Sequence, residues 1–403
     1  MIEEYIPFVG EEVIREIQIL AKRLKGIKVL HVNSTKKGGG VAEILNRLVP
    51  LMNDVGIETQ WEIIKGDHRF FTFTKKLHNL LHMPGKEKIE SEEVVYYLKV
   101  TYENVNTINT EGYDIVFIHD PQPMGLIVKK EKGQKWIWRC HVDTSTPDPT
   151  AWRFIESFLN AYDACIFHMP EFIYENIKIP TYIMRPSIDP LHPKNMELSD
   201  EEVEGVLERF GIDPEKPIIL QVSRFDRLKD PFGVLSAYKI VKRKYDCQLI
   251  LAGGFAPDDP EGEQVFKELL NITAGDKDVF ILNLPPDSHF EINALQRGAT
   301  VIVQKSLKEG FGLVVSEGMW KAKPVVGSNV GGIKRQIVHG VTGYLVNSIE
   351  GTAVRIRQLL GNKDLRETMG YHAKERVRHR FLIIRHLREY LLLIYKILNS
   401  HSK

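Results

Sequence analysis

The sequence predicts an α/β chain of two doubly wound, parallel-sheet domains, and three observations lead there. Its 403 residues exceed what one hydrophobic core usually serves, which favours two domains. Short β-branched runs alternate with helical patterns along most of its length, as expected when parallel strands are covered by helices. The alternation stops at Arg185-Pro186-Ser187-Ile188-Asp189-Pro190-Leu191-His192-Pro193 and then starts afresh. Three prolines there interrupt both helix and strand, so this stretch reads as a hinge.

Taken in order, Val13, Ile14, Ile17, Leu20 and Leu24 recur at helical spacing and predict an amphipathic opening helix that Gly26 stops. The strands expected next are 27–32, 57–64, 114–119, 136–141, 164–167 and 181–184, each followed by polar or Gly/Pro punctuation. Beyond the hinge a second series is expected at 217–222, 247–252, 279–282, 300–303, 324–326 and 343–346. The closing stretch, 382–398, is strongly apolar at helical spacing and needs a large surface to cover. It is expected to return to the first domain, giving domains of 1–188 completed by 382–403, and of 189–381. Two such domains facing one another would put the carboxyl ends of their strands around a cleft, where doubly wound sheets bind ligands.

Composition narrows the function. An apolar fraction of 43%, a charged fraction of 27% and a formal charge of +1 offer no global field for nucleic acid or an anionic membrane, so any anion must be held locally. Cys140, Cys165 and Cys247 lie in apolar runs without metal-ligand spacing and read as buried, reduced thiols. The N-terminus lacks the basic start and apolar core of an export signal, and a cytoplasmic location is expected. The longest apolar run, 391–398, is too short to span a bilayer.

The most informative stretch is Lys308-Glu309-Gly310-Phe311-Gly312-Leu313-Val314-Val315-Ser316-Glu317-Gly318-Met319. It follows a predicted strand and runs through a Gly-x-Gly loop into a helix, whose first amides would be free to cradle an anion. Glu309 would sit in the loop and Glu317 about two turns above it. A bare Glu pair at this spacing is more often an exposed residue and a cap, but the context points to one extended ligand. A second cluster, Gln221-Val222-Ser223-Arg224-Phe225-Asp226-Arg227-Leu228-Lys229-Asp230-Pro231, ends a strand and leads into a helix. There Arg224 can grip a phosphate with two parallel hydrogen bonds while Lys229 adds a compact charge. Asp226 and Asp230 are not part of the Asp-x-Asp pattern that metal-dependent nucleotide-sugar enzymes use and the histidines are scattered, so no metal or cofactor is expected. In the first domain, the loop from Asn33 through Lys37, Gly38, Gly39 and Gly40 to Glu43 would let a ligand approach the backbone closely. His141 is expected at the carboxyl end of a strand.

These stretches resemble the retaining glycosyltransferases of family four, through Glu309-x7-Glu317, Lys323-Pro324-Val325-Val326-Gly327-Ser328 and Gly331-Gly332. In the first domain, His31 to Thr35 with Gly38 to Leu45, Phe70-Phe71 with Thr74-Lys75 and His78-Asn79, His119-Asp120-Pro121-Gln122-Pro123, and Arg139 to Ser145 resemble the trehalose glycosyltransferring synthases. The resemblance implies a GT-B fold, two Rossmann-like domains, and transfer of glucose from a nucleoside-diphosphate glucose to free glucose with retention, giving α,α-trehalose. It implies that Glu309 binds donor-sugar hydroxyls and Glu317 the ribose, and that the amides of Gly310, Phe311, Gly312 and Leu313 reach the sugar and phosphate. Gly39 and Gly40 would also lie by the donor. Arg224 and Lys229 would hold the diphosphate, His141 would touch the transferred sugar, and Asp120, Gln122 and Asp143 are assigned to the acceptor.

The nearest rival is a retaining trehalose phosphorylase, which has no ribose for Glu317 to hold. Others are a transferase with a different sugar acceptor and a non-catalytic sugar or nucleotide sensor. The expected partners are small molecules (nucleoside-diphosphate glucose, glucose and trehalose), with a homodimer as the one macromolecular assembly considered. The donor's base is left open.

Overall fold

In a computed structural model, residues 1–36, 39–175, 177–254 and 260–400 are described. They divide into two compact units, one of Met1–Ser187 with Ile383–Lys403, the other of Ile188–Leu382. The change of unit therefore falls inside the proline-rich stretch, between Ser187 and Ile188.

The first unit holds β1 (Lys28–Asn33), β2 (Glu58–Ile63), β3 (Ile115–His119), β4 (Lys135–Arg139), β5 (Ala164–Phe167) and β6 (Thr181–Ile183). All six pair in parallel in the order β2-β1-β3-β4-β5-β6. The second holds β7 (Ile218–Val222), β8 (Gln248–Gly253), β9 (Val279–Asn283), β10 (Val301–Gln304), β11 (Val325–Ser328) and β12 (Gly343–Val346), parallel in the order β12-β11-β10-β7-β8-β9. Each expected strand is present. β4 ends at Arg139 rather than at residue 141, so His141 lies two residues beyond the strand rather than closing it.

The inner strands of both sheets are buried on two faces, which is why they read as continuous apolar runs rather than alternating ones. Val116, Ile118, Trp136 and Trp138 lie in the first core, and Ile219, Leu249, Leu251 and Val303 in the second. Strand order reverses direction between β1 and β3 in one sheet and between β7 and β10 in the other, and those are the switch points where doubly wound sheets bind ligands beyond their carboxyl ends.

The opening helix covers Glu11–Arg23, and the closing helix, Ile383–Asn399, packs on it and on the helix Gly39–Asp54. The closing helix buries Ile383, Ile384, Leu387, Tyr390, Leu391, Leu393, Ile394 and Ile397. At about 1.5–3 kcal/mol for each large apolar side chain, that face is indispensable to the first unit. Arg385 Nη2 ties the helix start to the carbonyls of Arg185 and Pro186, at 2.9 Å each. The three cysteines are buried free thiols. Among the described residues, no helix is long and apolar enough to cross a membrane.

Candidate functional site

In the second unit the chain leaves β7 and β10 on either side of the switch point, and the two loops meet there. The loop after β7 ends in a short turn, Arg227–Lys229, and Asp230 in the left-handed conformation (φ 49°) caps the next helix by accepting from the Gly233 amide at 3.0 Å. This turn aims Lys229 at the loop after β10, where its Nζ meets Glu309 Oε2 at 2.6 Å. The same Glu309 oxygen accepts from Ser306 Oγ at 3.1 Å and Gln304 Nε2 at 3.5 Å. Lys305 pairs with Asp230, a second cross-link between the two loops. Lys229 and Glu309 are thus brought together across 80 residues. Arg224 is not drawn into that cluster. It pairs with Asp226 at 3.2 Å, and its side chain is 66% exposed.

The loop 309–312 is held from behind by Gly331 and Gly332, where a Cβ would stand 1.7 Å from the Glu309 carbonyl oxygen and 2.4 Å from Phe311 Cα. Only glycine permits that approach. Gln336 braces the same loop, donating to the carbonyls of Phe311 at 2.6 Å and Gly312 at 3.2 Å while accepting from Ser316 Oγ at 2.5 Å. Gly312 (φ 79°) then opens the helix Leu313–Trp320, and no side chain caps it. The helix starts late, so Glu317 is about one turn into it, not two turns above Glu309. An uncapped helix start beside a lysine and a buried carboxylate is suited to a phosphate carried on a polyhydroxyl group.

Glu317 belongs to a separate network. It is buried, accepts from Gln296 Nε2 at 3.1 Å and lies 3.5 Å from Lys194 Nζ. Burial alone would push its carboxyl up, but Lys194 and Lys321 outweigh that and hold it below the ordinary carboxylate range. Lys321 is itself lowered to about 7 by burial, and its Nζ donates to Asn195 Oδ1 at 3.1 Å and the Glu317 carbonyl at 3.3 Å. Lys194, Gln296, Lys305, Ser306 and Lys321 were not singled out in the sequence, and no local pattern marks them.

In the first unit the histidines are not scattered, as their sequence positions suggest, but aligned. His31 Nδ1 lies 2.9 Å from His119 Nε2, His119 Nδ1 lies 3.0 Å from His141 Nε2, and His141 Nδ1 lies 3.1 Å from His168 Nε2. His31 lies inside β1, His119 closes β3, and His141 and His168 follow the ends of β4 and β5, all four strands being neighbours in the sheet. Their ring centroids step by 5.2, 5.3 and 5.2 Å, close to the spacing of adjacent strands. Burial, reinforced by the Arg139 cation, lowers His31 to about 3 and holds His119 and His141 well below the ordinary imidazole range. Arg139 is fully buried against Tyr390 and donates to the Met184 carbonyl at 3.2 Å.

Of the acceptor residues, Asp120 sits beside this row. Its Oδ1 accepts from the His141 amide at 2.8 Å, its backbone is left-handed (φ 63°), and burial raises its carboxyl to about 7. Asp143 turns back on its own loop, accepting from the Ser145 amide at 2.9 Å. Gln122 Oε1 is buried without a hydrogen-bond partner among the described residues. Gly39 and Gly40 are exposed and already belong to the first turn of the helix Gly39–Asp54, while Lys37 and Gly38 lie outside the described residues. Among the described residues, no group of three or more His, Cys, Asp or Glu side chains is arranged to hold a metal ion.

Comparison with known proteins agrees with this division. Residues 31–174 match the family model for the trehalose synthase N-terminal domain, and residues 205–376 that for group 1 glycosyl transferases. The chain is 47% identical to a trehalose synthase of Thermococcus litoralis over 98% of its own length and 96% of that protein. It is 43% identical to a trehalose synthase of Rubrobacter xylanophilus over 98% and 96%. Among solved structures, sucrose-phosphate synthase from Thermosynechococcus elongatus superposes with a TM-score of 0.72 over 93% of this chain and 100% of that one, at 18% identity. That last likeness concerns the fold alone, and the two-sheet architecture is that of the GT-B glycosyltransferases.

Proposed function

This chain belongs to the trehalose synthase family of glycosyltransferases, and we propose that it moves glucose from a nucleoside-diphosphate glucose to free glucose, giving α,α-trehalose with the donor's α configuration kept. The observation that carries the reading is the Lys229–Glu309 contact of 2.6 Å at the switch point, next to an uncapped helix start. A cation and a carboxylate paired there can exchange partners: Lys229 turns to the diphosphate and Glu309 takes sugar hydroxyls. Arg224, exposed and paired with Asp226, folds onto the same phosphates. Glu317, held ionised among lysines, accepts from the ribose hydroxyls.

A double-displacement route would use two carboxylates about 5–5.5 Å apart, one of them a nucleophile. Glu309 and Glu317 instead stand in separate hydrogen-bond networks with no shared partner, which supports front-face transfer. In that route the departing phosphate takes the acceptor's proton, while Lys229, Arg224 and the amides from Gly310 to Leu313 stabilise its growing charge. These groups neutralise the leaving group without a metal. We carry His141 as a contact to the transferred sugar, and Asp120, Gln122 and Asp143 as acceptor residues. Trehalose as product rests on the relatives' names, and free glucose as acceptor on the first domain's resemblance to the trehalose glycosyltransferring synthases.

The test is product analysis by proton NMR, with several nucleotide-glucoses, free glucose and a chelator present. α,α-Trehalose and a nucleoside diphosphate are expected. A β-linked product, a strict metal requirement, or no disaccharide from glucose would each overturn a stated part.

A further inference from the structure

The two oxygens of the Glu309 carboxylate are used differently. Oε2 takes every hydrogen bond the side chain makes among the described residues: from Lys229 Nζ at 2.6 Å, Ser306 Oγ at 3.1 Å and Gln304 Nε2 at 3.5 Å. Oε1 takes none of them, and the side chain is still 10% exposed. One oxygen is anchored and the other is presented. Gly312 backs the same side chain, since a Cβ there would stand 3.1 Å from Glu309 Cγ.

The groups themselves fix the direction of these bonds. A carboxylate only accepts, so Ser306 gives its one hydroxyl proton to Glu309, and its oxygen accepts from Gln304 Nε2 at 3.1 Å. Gln304 closes β10, and both Gln304 and Ser306 are buried. The loop that carries Ser306 is also held without help from the Lys229 side chain. The Leu307 amide donates to the Leu228 carbonyl at 2.7 Å, and Lys305 pairs with Asp230.

Lys229 is the partner that leaves. When it turns to the diphosphate, Glu309 loses its shortest bond just as it must face a sugar hydroxyl, and Gln304 at 3.5 Å is too distant to hold the carboxylate alone. We propose that Ser306 is a positioning residue for glycosyl transfer: its hydroxyl keeps Glu309 Oε2 in place once Lys229 has gone over to the diphosphate, so that Oε1 meets a hydroxyl of the transferred sugar. This rests on reading Glu309 as the sugar contact and Lys229 as the diphosphate contact. Ser306 acts through Glu309, so its loss should be felt in transfer and not in the binding of a nucleotide that carries no sugar.

The test compares wild type, Ser306→Ala, Glu309→Gln and the double variant, by steady-state transfer and by calorimetric titration of the nucleoside diphosphate alone. Ser306→Ala should lower kcat about 10-fold, the lower end for a hydrogen bond to a charged group, with diphosphate affinity within about twofold of wild type. In the double variant kcat should lie within about twofold of Glu309→Gln, because the serine has nothing left to act through. Should Ser306→Ala not fold, Ser306→Cys, of similar size but only a weak donor, takes its place with the same expectations. Losses that multiply in the double variant, a loss of diphosphate affinity as large as the loss of kcat, or a wild-type kcat in Ser306→Ala beside an impaired Glu309→Gln, overturns the proposal and leaves the proposed reaction standing. An unimpaired Glu309→Gln overturns both.

Discussion

The histidines in or just after β1, β3, β4 and β5 and the residues that follow β7 and β10 lie toward the carboxyl ends of strands in two similar sheets, yet they handle charge in opposite ways. In the first unit, four imidazoles satisfy one another at 2.9–3.1 Å beside a buried arginine, and the Asp120 carboxyl is raised to about 7. In the second, Lys229–Glu309, Lys305–Asp230 and Lys194–Glu317 stand in contact as ion pairs. A region of fixed neutral groups suits hydroxyl-bearing ligands, and a region of exchangeable ion pairs suits a phosphate that gains charge as its bond breaks. One fold thus supplies two electrostatic environments through the residues at its strand ends.

The sharpest way to break the comparison is inside the charged region, where the two glutamates are assigned different work. Glu309→Gln removes the partner of Lys229 and the acceptor for sugar hydroxyls, so kcat should fall on the order of 100-fold or more. Glu317→Gln should mainly raise the donor KM, because its network of Gln296 and Lys194 is separate. Steady-state kinetics on both variants checks this, and identical behaviour would mean that the separate networks carry no separate roles.

A smaller effect is expected in the neutral region. Burial raises Asp120 to about 7 from 3.8, so between those values the folded chain keeps a proton that the unfolded chain has released. The sign follows: this group favours folding most below pH 4 and loses that contribution as pH rises through 7. Asp120→Asn keeps an acceptor for the His141 amide and tolerates φ 63°. Relative to wild type it should gain roughly 2–4 kcal/mol of stability between pH 4.5 and 8. Denaturant midpoints at both pH values measure the gain, and parallel pH profiles would show that the carboxyl is not buried as charge.

Much of this was legible in the sequence, and what was not has a common cause. The strands announced themselves because sheets covered on both faces need continuous apolar runs, and Glu309 with its glycines announced itself because a loop approached by Gly331 and Gly332 admits few other residues. The Lys229–Glu309 contact was invisible as a contact, since 80 residues separate the two and only the adjacency of β7 and β10 joins them. His31 and His119 stood in the stretches that carry the resemblance but were given no role, and His168 was unremarked, although each lies at or next to the carboxyl end of an expected strand. What aligned them is the order β1-β3-β4-β5, which follows from how the strands pair and not from any local pattern. Glu317 sat closer to its helix start than expected because Gly312 delays that start.

The central proposal, that Lys229 and Arg224 of the second unit hold the diphosphate, is tested most directly by calorimetric titration of a nucleoside diphosphate into wild type, Lys229→Ala, Arg224→Ala and His141→Ala. Lys229→Ala should weaken binding by roughly 1.5–3 kcal/mol, about 10- to 150-fold, since it removes a charge-assisted contact. Arg224→Ala should weaken it less, because that side chain starts largely in solvent and must be ordered on binding. His141→Ala should leave the affinity unchanged. Equal weakening by His141→Ala and Lys229→Ala, or no weakening by either cation's removal, would contradict the account.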